Sequence, residues 1–213
     1  PYIFEILKKL RFDKMELPTL KYITQAGGKL NKELVIEFHN ICRKKGIDFF
    51  VMYGQTEATA RITCLPSKAL PEKAGSIGFE IPGGDLTLVD ENNVVINKSN
   101  IIGELVYKGE NVSMGYSEDY KDLKNLDRNN GLLHTGDLAM RDLDGYYYIK
   151  GRNNRFLKIF GNRVNLDELE AIINNLGYEC ACTGVEDKIN LYQTSFANEK
   201  NLLRSLMSHT GIH

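Results

Sequence analysis

Apolar residues recur at helical spacing in two stretches of the chain and in short strand-like runs elsewhere. In NKELVIEFHNICRKKG (31–46), Leu34, Val35, Phe38, Ile41 and Cys42 share one helical face. Asn31 can cap this helix, Glu33 suits its first turn, Lys44 and Lys45 suit its carboxyl end, and Gly46 can stop it. The unbroken apolar run IDFFVMY (47–53) predicts a strand covered on both faces. A helix followed by a buried strand is α/β architecture, in which ligands sit outside the carboxyl ends of strands.

The texture changes from Gly75. GGDLTLVDENNVVI reads as strand, turn and strand, and GELVYKG and GYYYIKG (145–151) read as further strands. Short strands separated by Gly, Asp and Asn predict a small barrel or sandwich. In LDELEAIINNLG (166–177), Leu166, Leu169, Ile172, Ile173 and Leu176 mark a second helix that Gly177 stops. ECACTGVED and INLYQTSFAN predict paired strands, and EKNLLRSLMSH starts another helix. The expected organisation is part of a doubly wound α/β sheet over residues 1–73, a β-barrel-like subdomain over 74–152 and an incomplete α+β segment over 153–213.

The 213 residues carry a net charge of −1, so no strong global field attracts nucleic acid or a membrane surface. No apolar run is long enough for a membrane span, and no charged-then-apolar secretory start is present. Cys42, Cys64, Cys180 and Cys182 have no disulfide-framework spacing, which suits a reducing cytoplasm. The start at Pro1-Tyr2-Ile3-Phe4 without methionine, and the end at SLMSHTGIH without a cap, lead us to expect a piece of a longer chain.

Candidate chemistry concentrates in a few stretches. In YGQTE, Tyr53 can stack on a planar base, Gly54 permits a backbone turn, the Thr56 hydroxyl can donate to phosphate, and Glu57 can hold a hard cation. The same residues also suit a plain polar loop after a buried strand. QAGGKL (25–30) places two glycines before a helix, either an ordinary turn or free amides for an anion. In HTGD, Asp137 follows a Thr-Gly turn; a carboxylate there can accept from vicinal hydroxyls or be common loop chemistry. His134 reads as structural, since no residue is spaced to form a triad with it. GRNNRFLKIFGNRVNLDELE combines Gly151, Arg152, Lys158, Gly161 and Arg163 with an acidic helix start, or is a solvated basic loop. No C-x-x-C, H-x-x-x-H or G-x-x-x-x-G-K-[ST] pattern occurs.

In their order, AGGKL, YGQTEA, GELVYKGENVSMGY, HTGDLAMRDLDGYYYIKGR and RFLKIFGNRVNLDELE resemble the adenylate-forming superfamily. Its members are acyl-CoA synthetases, adenylation domains of non-ribosomal peptide synthetases, and beetle luciferases. The resemblance runs to about Glu170 and then weakens.

That resemblance implies an AMP-forming ligase acting on a small carboxylic acid. ATP would give an acyl-AMP, and a thiol would take the acyl group. The acceptor is CoA, or the phosphopantetheine of a carrier protein loaded with an amino, aryl or acyl acid. It implies that Gly27, Gly28 and Lys29 border the adenine and that Tyr53 stacks on it, with Gly54 and Gln55 beside it in the motif. Thr56 would contact the α-phosphate, Glu57 would bind Mg2+, and Asp137 would hold the ribose with help from Arg152. Residues 153–213 would be an incomplete lid hinged at Asn154, where the family often has Asp, and Lys158, Gly161 and Arg163 fall in its lid motif. The family's phosphate-binding loop and its adenylation lysine have no match here, so the chain by itself is expected to be inactive. A non-catalytic nucleotide-binding module is the reading from another class.

Overall fold

The computed structural model describes residues 2–159, 162–185 and 188–193. Contacts divide the chain into one unit over 1–150 and a second over 151–213.

The first unit opens with helix α1 (Tyr2–Lys9), which buries Phe4, and strand β1 (Tyr22–Gln25). Helix α2 (Lys32–Lys44) follows, with the Asn31 side chain accepting from the Leu34 amide. Its buried face carries Leu34, Val35, Phe38 and Cys42, together with His39, which periodicity did not mark; Ile41 is only half-buried. Strand β2 (Asp48–Tyr53) pairs parallel with β1, so β1-α2-β2 is a parallel crossover unit. Burial along β2 alternates: Phe49 and Val51 are buried while Phe50 and Met52 are half-buried, so the expectation of two covered faces is corrected. Strands β3 (Thr63–Leu65) and β4 (Phe79–Glu80) extend this sheet antiparallel. Phe4, Phe12 and Phe38 pack with Phe49 and Val51 beneath it, with Phe4 edge-on to Phe38 at 5.0 Å.

The second sheet runs in the order β5 (Asp85–Val89), β6 (Ile102–Lys108), β7 (Leu132–Arg141), β8 (Tyr147–Arg152). The expected barrel is corrected: the sheet is open, and its two end strands do not pair among the described residues. Four strands are too few to close around a packed interior, for which about eight is usual. The strand expected after the Asp90 turn reduces to one bridge, Val89 to Val95, because Asp90 Oδ1 draws the Asn92 and Val94 amides into the turn. Thr135-Gly136-Asp137, expected as a loop, lies inside β7.

In the second unit, β9 (Phe156–Ile159) pairs antiparallel with β10 (Asn162–Asn165). Helix α3 (Leu166–Asn175) follows, capped by Asn165, and buries Leu166, Leu169 and Ile173. Leu176 is 42% exposed and lies past the helix end, outside the face predicted for it. β11 (Cys180–Val185) and β12 (Lys188–Gln193) form an antiparallel pair. The helix predicted from EKNLLRSLMSH lies outside the described residues.

Candidate functional site

Parallel pairing of Gln25 with Val51 brings the carboxyl ends of β1 and β2 side by side. The loops leaving them are those of AGGKL and YGQTEA. Gly27, Gly28 and Lys29 are exposed in the first, and buried Gln25 shapes it by donating to the Gly28 carbonyl at 2.5 Å. Sequence reading credited Gln25 with nothing.

The second loop closes on itself. The Ala58 and Ala60 amides both donate to the Gln55 carbonyl, at 3.1 and 2.8 Å, and the Ile62 amide donates to the Tyr53 carbonyl at 2.9 Å. Thr59 and Ala60 adopt left-handed backbone, with φ of 51° and 68°. Gly54 is not at positive φ, so it is not glycine's access to that region that the turn uses. A Cβ there would lie 2.4 Å from the Ala60 carbonyl oxygen, so close backbone approach is what requires glycine. Thr56 is exposed at the first position of the following 3-10 turn (Thr56–Ala58), and Glu57 is half-buried beside it.

Asp137 reaches this loop from the other sheet. Opposite Leu105 the β6–β7 register shifts, so that residues 135–137 stand where a regular ladder would place one. The Thr135 hydroxyl donates to the Leu105 carbonyl at 2.7 Å, and Gly136, at φ 68°, donates its amide to Glu104 Oε1 at 3.3 Å. Such a bulge re-aims a side chain. The Asp137 carboxylate, 5% exposed, accepts at Oδ2 from the Tyr53 hydroxyl at 2.5 Å and from Gln55 Nε2 at 3.0 Å. Gln55 Nε2 also donates to the Thr135 carbonyl at 2.8 Å. Tyr53, Gln55 and Asp137, which lie as much as 84 positions apart, thus form one polar cluster, and Tyr53 and Gln55 lie close to Glu57 in sequence. Thr135 was visible only as part of the HTGD motif, and its hydroxyl's role needed the strand pairing.

Glu57 has a partner that sequence reading also left without a role: the Tyr116 hydroxyl donates to its Oε1. That bond is the largest cause holding the Tyr116 phenol above its ordinary pKa. His134 is exposed, with Nδ1 3.6 Å from Glu104 Oε1.

In the second unit Arg152 is exposed at the entrance of the 3-10 turn Asn153–Arg155, which contains Asn154. Arg155, unmarked by sequence reading, bonds to Asp167, Glu170 and the Cys182 carbonyl. The β9–β10 register sets Lys158 opposite Arg163, and Gly161 lies outside the described residues. Among the described residues no three or more His, Cys, Asp or Glu side chains assemble around a common point for a metal. A surface groove between α1 and α2, lined by Lys8, Phe12, Glu37 and Lys44, contains none of the candidate site residues.

A mixed sheet with a parallel crossover unit, carrying a polar cluster at the carboxyl end of β2, has that cluster where α/β proteins hold their ligands. A family model described as AMP-binding enzyme matches residues 1–117, and the chain belongs to that family. It is 30% identical over 185 residues to luciferin 4-monooxygenase of Photuris pensylvanica, covering 85% of this chain and 33% of that protein. It is likewise 30% identical over 186 residues to 4-hydroxybutyrate–CoA ligase 1 of Metallosphaera sedula, covering 84% and 32%. The chain thus spans about a third of the length of these curated relatives. Unliganded O-succinylbenzoate coenzyme A synthetase of Bacillus subtilis shares the fold, with a TM-score of 0.73 at 23% identity over 98% of this chain and 45% of that one. The same enzyme in complex with ATP and magnesium ion matches with a TM-score of 0.68 at 25% identity, covering 92% and 42%. No helix among the described residues is long and apolar enough to cross a membrane.

Proposed function

We propose that this chain is the nucleotide-holding part of an ATP-dependent acid–thiol ligase, which activates a carboxylic acid as acyl-AMP and passes the acyl group to CoA. The observation that carries the reading is the convergence of Tyr53 and Gln55 on Asp137 Oδ2. It ties an aromatic ring to a carboxylate at the carboxyl end of β2. A nucleoside needs both, a face for the base and an acceptor for the ribose hydroxyls. In this reading Gly27, Gly28 and Lys29 border the adenine, Thr56 meets the α-phosphate, and Arg152 assists Asp137.

Residues 153–213 are read as the lid, hinged at Asn154 and bearing Lys158, Gly161 and Arg163. The substrate carboxylate is itself the nucleophile, so no activated serine or cysteine is required. The protein's task is in-line positioning and stabilisation of charge at phosphorus.

The donor set fits Mg2+. That ion keeps several waters and takes one or two carboxylates plus substrate phosphates, and Glu57 offers one carboxylate next to Thr56. When bound, the ion supplies Lewis-acid neutralisation of phosphate oxygens. Glu57 would hold it, while Tyr53 and Asp137 orient the nucleoside.

The similarity to a CoA ligase favours CoA over a carrier protein as acceptor. The test is acyl-AMP formation by the complete protein with a panel of small carboxylic acids, with and without CoA. Acid-dependent acyl-AMP that CoA converts to thioester supports the reading. Adenylate that only a phosphopantetheinylated carrier discharges would move it to carrier loading, and nucleotide binding without adenylate for any acid would leave a binding module.

A further inference from the structure

Tyr116 is 76% exposed, yet its hydroxyl is delivered to Glu57 by a braced segment. Asn111 Nδ2 donates to the Ala58 carbonyl at 2.8 Å and to the Arg61 carbonyl at 3.0 Å. Asn111 is itself held by the buried Tyr107, whose hydroxyl donates to Oδ1 at 2.8 Å. The Ser113 amide donates to the Glu57 carbonyl at 2.7 Å, and Asn129 Nδ2 donates to the Ser113 carbonyl at 2.7 Å. The Arg128 amide closes the segment by donating to the Met114 carbonyl at 2.9 Å. Residues 111–116 are therefore stitched to both the backbone and the side chain of the Glu57 turn.

A glutamate on an open turn has three side-chain torsions to settle before it can serve as a ligand. A donor on one oxygen settles them in advance, and outer partners of this kind orient ligating carboxylates generally. The chemistry of the donor matters. A phenol orients the carboxylate and leaves its charge intact, whereas a lysine or arginine would cancel the charge that a cation needs.

We infer that Tyr116 is a positioning residue for Glu57, presetting its carboxylate for a divalent cation. The inference rests on the reading of Glu57 as the metal carboxylate. Tyr116 touches neither nucleotide nor metal in this scheme and acts only through Glu57.

The test uses Mn2+ as the probe, followed by electron paramagnetic resonance with a non-hydrolysable ATP analogue bound to the complete protein. Tyr116→Phe should weaken Mn2+ binding about tenfold, the lower end for an outer partner. Metal-free AMP affinity and Tm should stay at wild-type values, and adenylate formation should recover at saturating Mg2+. Tyr116→Lys, which keeps a donor but adds positive charge, should weaken Mn2+ more than Phe does. In a Glu57→Gln background, Tyr116→Phe should add nothing. Wild-type Mn2+ affinity in Tyr116→Phe, an equal loss in both backgrounds, a milder effect of Lys than of Phe, or a parallel fall in AMP binding and Tm would each overturn the positioning role. Wild-type Mn2+ affinity in Glu57→Gln alone would instead overturn the assignment of Glu57, so the two failures are distinguishable.

Discussion

Glu57 sits in the turn after β2 and Asp137 reaches that loop from β7, and the two carboxylates have opposite surroundings. Asp137 is buried and takes donors from two side chains on one oxygen; Glu57 is half-buried and takes the Tyr116 hydroxyl. Glu57→Gln keeps the shape and removes the charge. In the complete protein it should slow single-turnover adenylate formation about 100-fold, equivalent to ~2.7 kcal/mol, and leave AMP affinity nearly unchanged. Equal losses in rate and AMP affinity would point to a role in folding the loop. Asp137→Asn should show the reverse pattern. Tyr53 and Gln55 lose a charged acceptor, and on the proposed reading so does the ribose, so AMP affinity by calorimetry should fall at least about tenfold. Stability should fall by about 1–2 kcal/mol as the half-buried Tyr53 and Gln55 donors exchange a charged acceptor for a neutral amide oxygen. These residues stood out in the sequence as candidates because each sits in a contiguous motif. The Tyr53–Asp137 bond was not, since nothing in a linear pattern says which strands bring residues 84 apart together.

The helices α2 and α3 were legible because each repeats its apolar face over ten or more residues. β1, β3 and β4 are only two to four residues long, too short for a period to register. β7 is long, but its alternation is interrupted at Thr135-Gly136-Asp137, which reads as loop chemistry in isolation. In the 54–61 loop the sequence marked Gly54 only as permitting a turn; that the turn needs glycine for close approach of the Ala60 backbone is a tertiary fact. Gly54→Ala should therefore distort this element. A Cβ placed 2.4 Å from a carbonyl oxygen cannot be relieved by a rotamer change. Thermal or urea melts should show a loss of roughly 1–3 kcal/mol, and AMP affinity should fall with it. A wild-type melt would mean that the turn opens freely.

At the scale of the chain, each of the two units has buried clusters of its own, two in the first, one of which holds Cys42, and one in the second, which holds Cys182. Burial pushes the Cys42 thiol from its ordinary 9.0 up to about 11 and the Cys182 thiol up to about 12. Folded thiols with raised pKa hold their protons where the unfolded chain would lose them. Their contribution to stability is thus full below pH 9 and is lost as pH rises through about 11–12. At pH 8, Ellman's reagent should react with Cys42 and Cys182 only at the rate of unfolding, while half-buried Cys64 and Cys180 react sooner. Four equal fast rates would contradict the packing of both units. Residues 1–213 alone, about a third of the length of the curated relatives, should bind AMP weakly and give no acid-dependent pyrophosphate exchange. Robust exchange would show that the chain already holds what the triphosphate needs.

Strand β7 is irregular opposite Leu105. Where one residue would match Leu105, the strand spends three, a surplus of two. Two is also the period with which side chains change face along a strand. Leu133, Thr135, Asp137 and Ala139 accordingly all remain buried, in phase across the interruption, although Leu138 between the last two is buried as well. A surplus of one would have turned the rest of the strand inside out. Excising Gly136 with Asp137 would leave Leu105 a single counterpart and every later residue on its present face. The carboxylate is thus a two-residue cassette in the sheet, and its gain or loss is open to a simple paired insertion or deletion that leaves the inside–outside alternation intact.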